Sequence, residues 1–270
     1  MFSTSLISHL FGKFASTKFP TLIQYIINKS YAGLMHVDLS DFQKASKYKS
    51  LNALFTRSLL KHRDFDKRKD SFIYPCDSFI TQCGTVEEGT ALQIKGFSYK
   101  ISDLLSDKIS DELKSKLECG KYINFYLSPK DYHRYHVPID MRVHKAIHIP
   151  GKLYPVNFTW LKKIPNLFIE NERVVLECSS ESGKLFFMVF VGALNVGKMD
   201  FVFDERIKTN SKKDYITYYE YGDVLLKKGE ELGKFEMGST IVMFFEKDFV
   251  NLTCQFGSHV KFGDLVATKV

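Results

Sequence analysis

Apolar residues recur at helical spacing through the first 35 residues of the chain. They are Leu6, Leu10, Phe11, Phe14, Leu22, Ile23, Tyr25, Ile26 and Ile27. This spacing puts apolar side chains on one face of a helix, so we expect two short amphipathic helices separated at Pro20. A further helix is expected to start near Ser50, a good capping residue, and to run to about Lys61.

From Phe72 onward the pattern changes to short apolar runs separated by Gly, Asp and Asn. Examples are YINFYLS, RVVLECS, KLFFMVFVG and STIVMFFE. Runs of β-branched and aromatic residues are typical of buried strands, and one charged helix is expected near Ser106 to Glu118. The pattern therefore predicts an α+β fold, with a helical N-terminal region over 1–62 and a β-rich catalytic domain over 63–270.

The charge and cysteine content narrow the classes of function. The 270 residues include 38 Lys and Arg against 31 Asp and Glu, a formal charge of +7. This excess is spread too thinly for a nucleic-acid site, and it suits an anionic membrane surface. The five cysteines include no CxxC pair, so we expect neither a disulfide framework nor zinc, and a reducing, cytoplasmic setting fits.

Targeting segments are also not indicated. The chain lacks a run of about 18 apolar residues, the length of a membrane-spanning helix. Its N-terminus lacks the basic start and the small-residue cleavage site of a secretory signal. Residues 1–35 are therefore expected either to cover a neighbouring core or to dock on a membrane surface.

The densest set of chemically active side chains lies in FYLSPKDYHRYHVP, residues 125–138. His133 and His136 are close enough in sequence to share one side of a turn. A metal pair is one interpretation, but the segment offers no third ligand at a familiar spacing, so no metal is expected. Histidines bonded to backbone in a tight turn are the structural alternative.

Four blocks, taken together and in order, resemble the phosphatidylserine decarboxylase family. They are YPCDSFITQCG, SPKDYHRYHVP, the run from PGKLYPVN through VGALNVGKM, and MGST. The resemblance extends from about residue 48 to the end of the chain. Two departures are mild: Ser78 follows Asp77 where many relatives have glycine, and Met237 stands where leucine is usual.

This resemblance implies that the chain cuts itself between Gly238 and Ser239. It implies a large chain, 1–238, and a small chain, 239–270, which stay associated. Ser239 would become a pyruvoyl group, a covalent cofactor made from the chain itself. Gly238 suits the cleavage site because glycine leaves its carbonyl unhindered and permits strained backbone angles.

The resemblance also implies roles for three further side chains. His136 would take the proton of the Ser239 hydroxyl, and Asp77 would orient and stabilise that imidazole, as in a serine-protease triad. The pyruvoyl carbonyl would then form a Schiff base with the amine of phosphatidylserine and accept electrons as carbon dioxide leaves. His133 is expected to assist this later phase, which yields phosphatidylethanolamine.

The expected partners follow from this lipid substrate. The family resemblance implies a peripheral protein on the cytoplasmic face of a bacterial cell membrane, acting on phosphatidylserine, and a homodimer. For the inserted face of the N-terminal helices we expect Phe2, Leu6, Leu10, Phe11 and Phe14.

Two other functions compete with this hypothesis. Ser239, His136 and Asp77 could form a serine hydrolase that acts on an external ester without self-cleavage, although the G-x-S-x-G context is missing. The run VLLKKGEELGKFEMGSTIVMFFE also resembles the hairpin of lipoyl-type, barrel-sandwich domains, which would allow a non-enzymatic module. That second likeness concerns the fold, so the catalytic domain is expected to be barrel-sandwich-like.

Overall fold

The computed structural model describes residues 4–94, 97–156, 160, 163–164, 166–194, 198–210, 214–236 and 239–270. Its α-helices are α1 (Thr4–Ser16), α2 (Thr21–Leu34), α3 (Leu51–Phe55), α4 (Ile101–Leu105), α5 (Asp111–Ser115) and α6 (Leu167–Glu170). A 3-10 turn covers Ala45–Lys47. The strands are β1 (Ser71–Ile73), β2 (Ser78–Thr85), β3 (Thr90–Ile94), β4 (Phe97–Lys100), β5 (Lys121–Leu127), β6 (Arg134–His136), β7 (Met141–Ile149), β8 (Arg173–Ser180), β9 (Leu185–Val191), β10 (Lys198–Phe201), β11 (Thr217–Leu226), β12 (Glu231–Glu236), β13 (Ser239–Phe245), β14 (Val250–Leu252), β15 (His259–Val260) and β16 (Leu265–Lys269).

An antiparallel sheet of eight strands forms the centre of the protein, in the order β11-β7-β8-β9-β13-β5-β2-β15. All seven residues of β9 are buried, which explains why its sequence is a continuous apolar run without alternation. The strand β13 lies between β9 and β5 in the middle of this sheet. The segment that begins at Ser239 is therefore a central core strand.

Two three-stranded sheets pack against this central sheet. One has the order β10-β12-β6, and the rings of Tyr135 and Phe235 in it contact Phe190 of β9, at centroid distances of 4.6 and 6.1 Å. The other has the order β1-β16-β14, and Phe72 of β1 meets Phe245 of β13 edge to face at 5.2 Å. Aromatic contacts thus join the layers.

The predicted α+β class is confirmed, and every strand pair among the described residues is antiparallel. The eight-stranded sheet is open, with β11 and β15 at its edges. The barrel-sandwich detail stays a prediction, as does the boundary between the regions 1–62 and 63–270. Apolar side chains of α1 and α3, including Ala15 and Phe55, belong to the same buried core as the sheets.

Two predicted helices are shorter in the structure than expected. The helix that begins after Ser50 ends at Phe55 and does not reach Lys61, because Arg57 turns away to bind backbone carbonyls elsewhere. The charged helix expected at 106–118 is limited to α5, and Ser106 itself has a positive φ of 82°, which a helix does not tolerate. Among the described helices, none is both long and apolar enough to cross a bilayer.

Candidate active site

The chain on both sides of the predicted cleavage point is bonded to one stretch of backbone. Ser239 pairs with Leu127 where β13 meets β5, and the amide of Phe235, near the end of β12, donates to the carbonyl of His133 at 2.9 Å. Gly238 lies outside the described residues, and Ser239 is described by its backbone alone. The histidine segment predicted from sequence therefore runs beside the predicted cleavage point.

A tight turn connects Leu127 to this segment. One carboxylate oxygen of Asp131 accepts hydrogen bonds from both the amide and the hydroxyl of Ser128, each at 2.7 Å. Burial of this carboxyl raises its pKa above the ordinary value. The turn fixes the direction in which the chain continues towards His133.

The imidazole of His133 is fully buried. Its Nδ1 lies 2.8 Å from the carbonyl oxygen of Asp131, and because a carbonyl oxygen can only accept, Nδ1 carries the proton. Its Nε2 is buried and has no partner among the described residues. Burial, and then the charge of Arg57, lower the pKa of His133 to about 3, so the ring is neutral at pH 7.

The end of α3 holds this histidine segment in place. The ring of Phe55 lies 3.9 Å from the imidazole of His133, centroid to centroid. The guanidinium of Arg57, itself 3% exposed, donates to the carbonyls of Lys130 and Asp131 at 2.8 and 3.0 Å. Residues from the helical N-terminal region thus contact the predicted catalytic histidine directly.

His136 lies at the other end of the pairing between β6 and β12, opposite Glu231. Its Nδ1 donates to the carbonyl of Gly229 at 3.1 Å, so its Nε2 accepts from the hydroxyl of Tyr132, also at 3.1 Å. Burial is the main cause that lowers the pKa of His136 to about 4. This ring too is a neutral imidazole with an accepting Nε2.

Asp77 is bound by a cation and by a backbone amide. Its carboxylate pairs with both terminal nitrogens of Arg63, at 2.5 and 3.1 Å, and accepts from the amide of Phe262 at 2.8 Å. The ring of Phe262 stacks on the imidazole of His136, with centroids 3.6 Å apart and planes inclined by 13°. Asp77 and His136 are therefore neighbours joined through Phe262, and the triad contact between them stays a prediction.

Sequence reasoning proposed the two histidines, Asp77 and Ser239 as site residues, and it missed the side chains that contact the histidine segment and Asp77. Arg57, Arg63 and Phe262 come from outside the histidine segment, so no linear motif joins them to the residues that they contact. The one usable signal was Tyr132, which lies inside the histidine segment. The site combines two neutral imidazoles, each with one accepting nitrogen, and the neutral form is the one that can take up a proton.

Comparison with known proteins identifies the family. The family model described as phosphatidylserine decarboxylase matches residues 51–268. The chain is 46% identical over 265 residues to the phosphatidylserine decarboxylase proenzyme of Campylobacter jejuni, covering 96% of this chain and 97% of that protein. It is 45% identical to the proenzyme of Helicobacter pylori strain J99 (95% and 96% covered) and 35% identical to that of Psychromonas ingrahamii (98% and 93% covered).

Proposed function

The chain belongs to the phosphatidylserine decarboxylase family, and from this membership we propose how its site works. It is a carboxy-lyase that converts phosphatidylserine to phosphatidylethanolamine and carbon dioxide. Relatives that match it over nearly their whole length are named proenzymes. We propose that this chain is likewise made as a precursor and cuts itself between Gly238 and Ser239 into chains 1–238 and 239–270.

The observation that carries this proposal is that the backbone on both sides of that bond pairs with the same segment, residues 127–133. Leu127 holds the chain at Ser239, and His133 holds it at Phe235. Fixed points on both sides of this bond limit how far the chain around it can move, which favours an intramolecular reaction. In the proposed step the Ser239 hydroxyl attacks the Gly238 carbonyl, and elimination from the resulting ester separates the chains.

A neutral imidazole must take the proton of that hydroxyl. The family resemblance assigns this role to His136 with Asp77, and both histidines are neutral at pH 7 because burial lowers their pKa values. The strand register, in contrast, puts His133 near the end of β12 and His136 near its start. We propose His136 as the base for cleavage and His133 as the group that moves a proton during decarboxylation.

The buried surroundings of His133 fit a pyruvoyl group derived from Ser239. The unpartnered Nε2 of His133 is a buried polar atom, and such an atom calls for a partner that the described residues do not supply. When present, the pyruvoyl carbonyl supplies the sink for the electron pair that the departing carboxylate leaves behind. The Nε2 of His133, which carries no proton in this tautomer, would first take up a proton and then pass it to the substrate carbon.

A denaturing mass measurement tests the function together with its mechanism. The purified wild-type protein should give two chains, the smaller with a blocked amino end, and should release phosphatidylethanolamine from phosphatidylserine vesicles. Ser239→Ala should stay a single inactive chain, while the matched Ser258→Ala should cleave normally. A wild-type chain that stays whole but hydrolyses esters would support the serine hydrolase instead.

The orientation of α2 supports docking on a lipid surface. This helix buries polar residues: Gln24 and Asn28 are 4% and 0% exposed, and Asn28 donates to the carbonyls of Ala45 and Tyr48. On its outer side Leu22 and Ile26 are 71% and 55% exposed. A helix that turns its apolar side outward is adapted to apolar surroundings.

Leu10 and Phe14 of α1 are also exposed, as expected for the inserted face. Phe11 is partly buried against the core, so its place on the inserted face stays a prediction. Phe2 lies outside the described residues, and so does the side chain of Leu6. We propose that the exposed apolar residues of α1 and α2 enter the headgroup layer of an anionic membrane, on the cytoplasmic side of a bacterial cell.

Lysines near this apolar surface fit the same role. Lys13, Lys18 and Lys29 are exposed on or beside α1 and α2. Each basic side chain close to an anionic surface contributes about 1 kcal/mol of attraction. The homodimer implied by the family resemblance stays a prediction, which sedimentation of the processed protein would test.

A further inference from the structure

Two cysteines lie side by side near one edge of the central sheet. The thiol of Cys83, in β2, is 3.9 Å from the carbonyl oxygen of Cys254 and hydrogen-bonds the thiol of Cys254. Both residues are partly exposed, so small reagents can reach them. Because the two side chains are neighbours, little movement is needed to bring their sulfur atoms to bonding distance.

The backbone around these cysteines is held in position. The amide of Gly257 donates to the carbonyl of Ile80, and the amide of Ile80 donates to the carbonyl of Ser258, both at 2.9 Å. These hydrogen bonds hold the segment after Cys254 antiparallel to β2. The closeness of the thiols is thus a consequence of the fold, and flexible side chains are not needed to explain it.

The two thiols belong to different products of the proposed cleavage. Cys83 is in the large chain, 1–238, and Cys254 is in the small chain, 239–270. A bond between them would join covalently two chains that otherwise associate only through packing and hydrogen bonds. This consequence rests on the proposed function, whereas the closeness of the thiols does not.

We propose that Cys83 and Cys254 form a reversible disulfide that tethers the small chain to the large chain under oxidation by a hydroperoxide. One thiolate attacks the peroxide, becomes a sulfenic acid and releases water. The second thiol attacks that sulfur, forms the S–S bond and releases another water. Two thiols are oxidised by two electrons, and one hydrogen peroxide is reduced to two waters.

The surroundings of the two sulfurs affect the rate. Burial, and then the neighbouring Cys83 thiol, raise the pKa of Cys254 to about 12, so Cys254 is not the thiol that reacts first. Two other cysteines, Cys76 and Cys178, are fully buried, and burial raises their pKa values as well. Cys119 is exposed and serves as a matched control.

Non-reducing denaturing electrophoresis of the processed protein tests the tether. After hydrogen peroxide treatment and alkylation of the remaining thiols, the two chains should run as one band, and dithiothreitol should separate them. Cys83→Ser and Cys254→Ser should each abolish the joined band, and Cys119→Ser should keep it. Separate bands after oxidation, with Cys83 and Cys254 both still alkylated, would overturn the proposal.

A second arm of the experiment tests the disulfide independently of self-cleavage. In Ser239→Ala, a single chain by design, peroxide should remove two hydrogen atoms from the intact mass and protect Cys83 and Cys254 from alkylation. If wild-type protein never cleaves, the proposed function fails while this arm still reports on the disulfide. If wild-type protein cleaves and neither arm shows the bond, only the disulfide is refuted.

Discussion

The ring of Phe55 lies 3.9 Å from the imidazole of His133, so the last residue of α3 forms one wall around a predicted catalytic group. The next residues extend this contact, since Arg57 binds the carbonyls of Lys130 and Asp131. The helical N-terminal region therefore supports the site as well as presenting an apolar surface.

Replacing Phe55 should disturb the site more than the fold. Phe55→Leu keeps an apolar side chain, so we expect it to lower the free energy of unfolding by about 1 kcal/mol. Because the His133 ring loses its contact with an aromatic ring, cleavage or decarboxylation should slow clearly more than this stability change explains. Phe168→Leu, at a buried ring that packs on Tyr99, is the matched control and should leave both rates unchanged. Equal effects of the two variants would reduce Phe55 to a packing role.

The two histidines should separate the two phases of the reaction. His136→Gln should slow self-cleavage by about 100-fold or more, the usual contribution of a general base. His133→Gln should still cleave and should lose decarboxylation. Time courses of chain separation after cell-free synthesis measure the first phase, and phosphatidylethanolamine formation measures the second. The reverse result would assign the role of cleavage base to His133. His144→Gln, at a histidine that is hydrogen-bonded to Ser179, is the control and should change neither phase.

Arg63 is expected to keep Asp77 in position. Arg63→Gln removes the cation from a largely buried pair, so we expect a loss of about 1–3 kcal/mol in the free energy of unfolding and slower cleavage. Arg63→Lys restores the charge without the two-pronged geometry, so it should recover stability better than the cleavage rate. Arg68→Gln, in the exposed pair with Asp66, should change neither measurement.

Linear motifs indicated the family of this protein because its predicted catalytic residues are close to characteristic neighbours. His133 and His136 lie in one segment. Ser239 begins a strand that could be predicted from its run of apolar residues. The residues that support them lie outside these segments: Gly229 and Phe262 contact His136, and Arg63 contacts Asp77. Such pairings leave no local pattern, so they could not be predicted.

The prediction of secondary structure from the sequence has the same limit. The strands of the central sheet could be predicted from their apolar runs, but their order could not, because long-range pairing determines it. The residues after Phe55 have fair helix propensity, yet the bonds of Arg57 override it. The burial of Gln24 and Asn28 in α2 was not predicted. It is possible because Gln24 donates to the side chain of Asn28, and Asn28 donates to a backbone carbonyl far along the chain.

Acid should weaken the fold through the two buried imidazoles. The pKa values of His133 and His136 are lowered to about 3 and about 4, whereas an unfolded histidine titrates near about 6.5. Between these values the unfolded chain binds protons that the folded chain does not, so stability is complete above about pH 6.5 and falls towards pH 4. The slope contributed by each ring is at most about 1.4 kcal/mol per pH unit.

Urea unfolding of the uncleaved Ser239→Ala chain at a series of pH values measures this slope. Adding His133→Gln should flatten the profile between pH 4 and 6.5, since glutamine does not titrate. His259→Gln, at an exposed histidine, should leave the profile as it was. An unchanged slope after His133→Gln would show that His133 is protonated equally in both states.

The outward apolar side of α2 should account for much of the membrane affinity. Leu22 and Ile26 make few contacts with the protein, so Leu22→Glu with Ile26→Glu should fold normally. If each side chain enters the lipid, losing about 1.5–3 kcal/mol apiece should weaken binding on the order of 100-fold or more. Flotation with vesicles that contain phosphatidylserine measures this loss, and Leu225→Glu, an equally exposed leucine in β11, is the matched control. High salt screens the charges of the lysines and leaves the apolar contacts intact. If binding is lost in high salt but persists in the double variant, docking depends on charge alone.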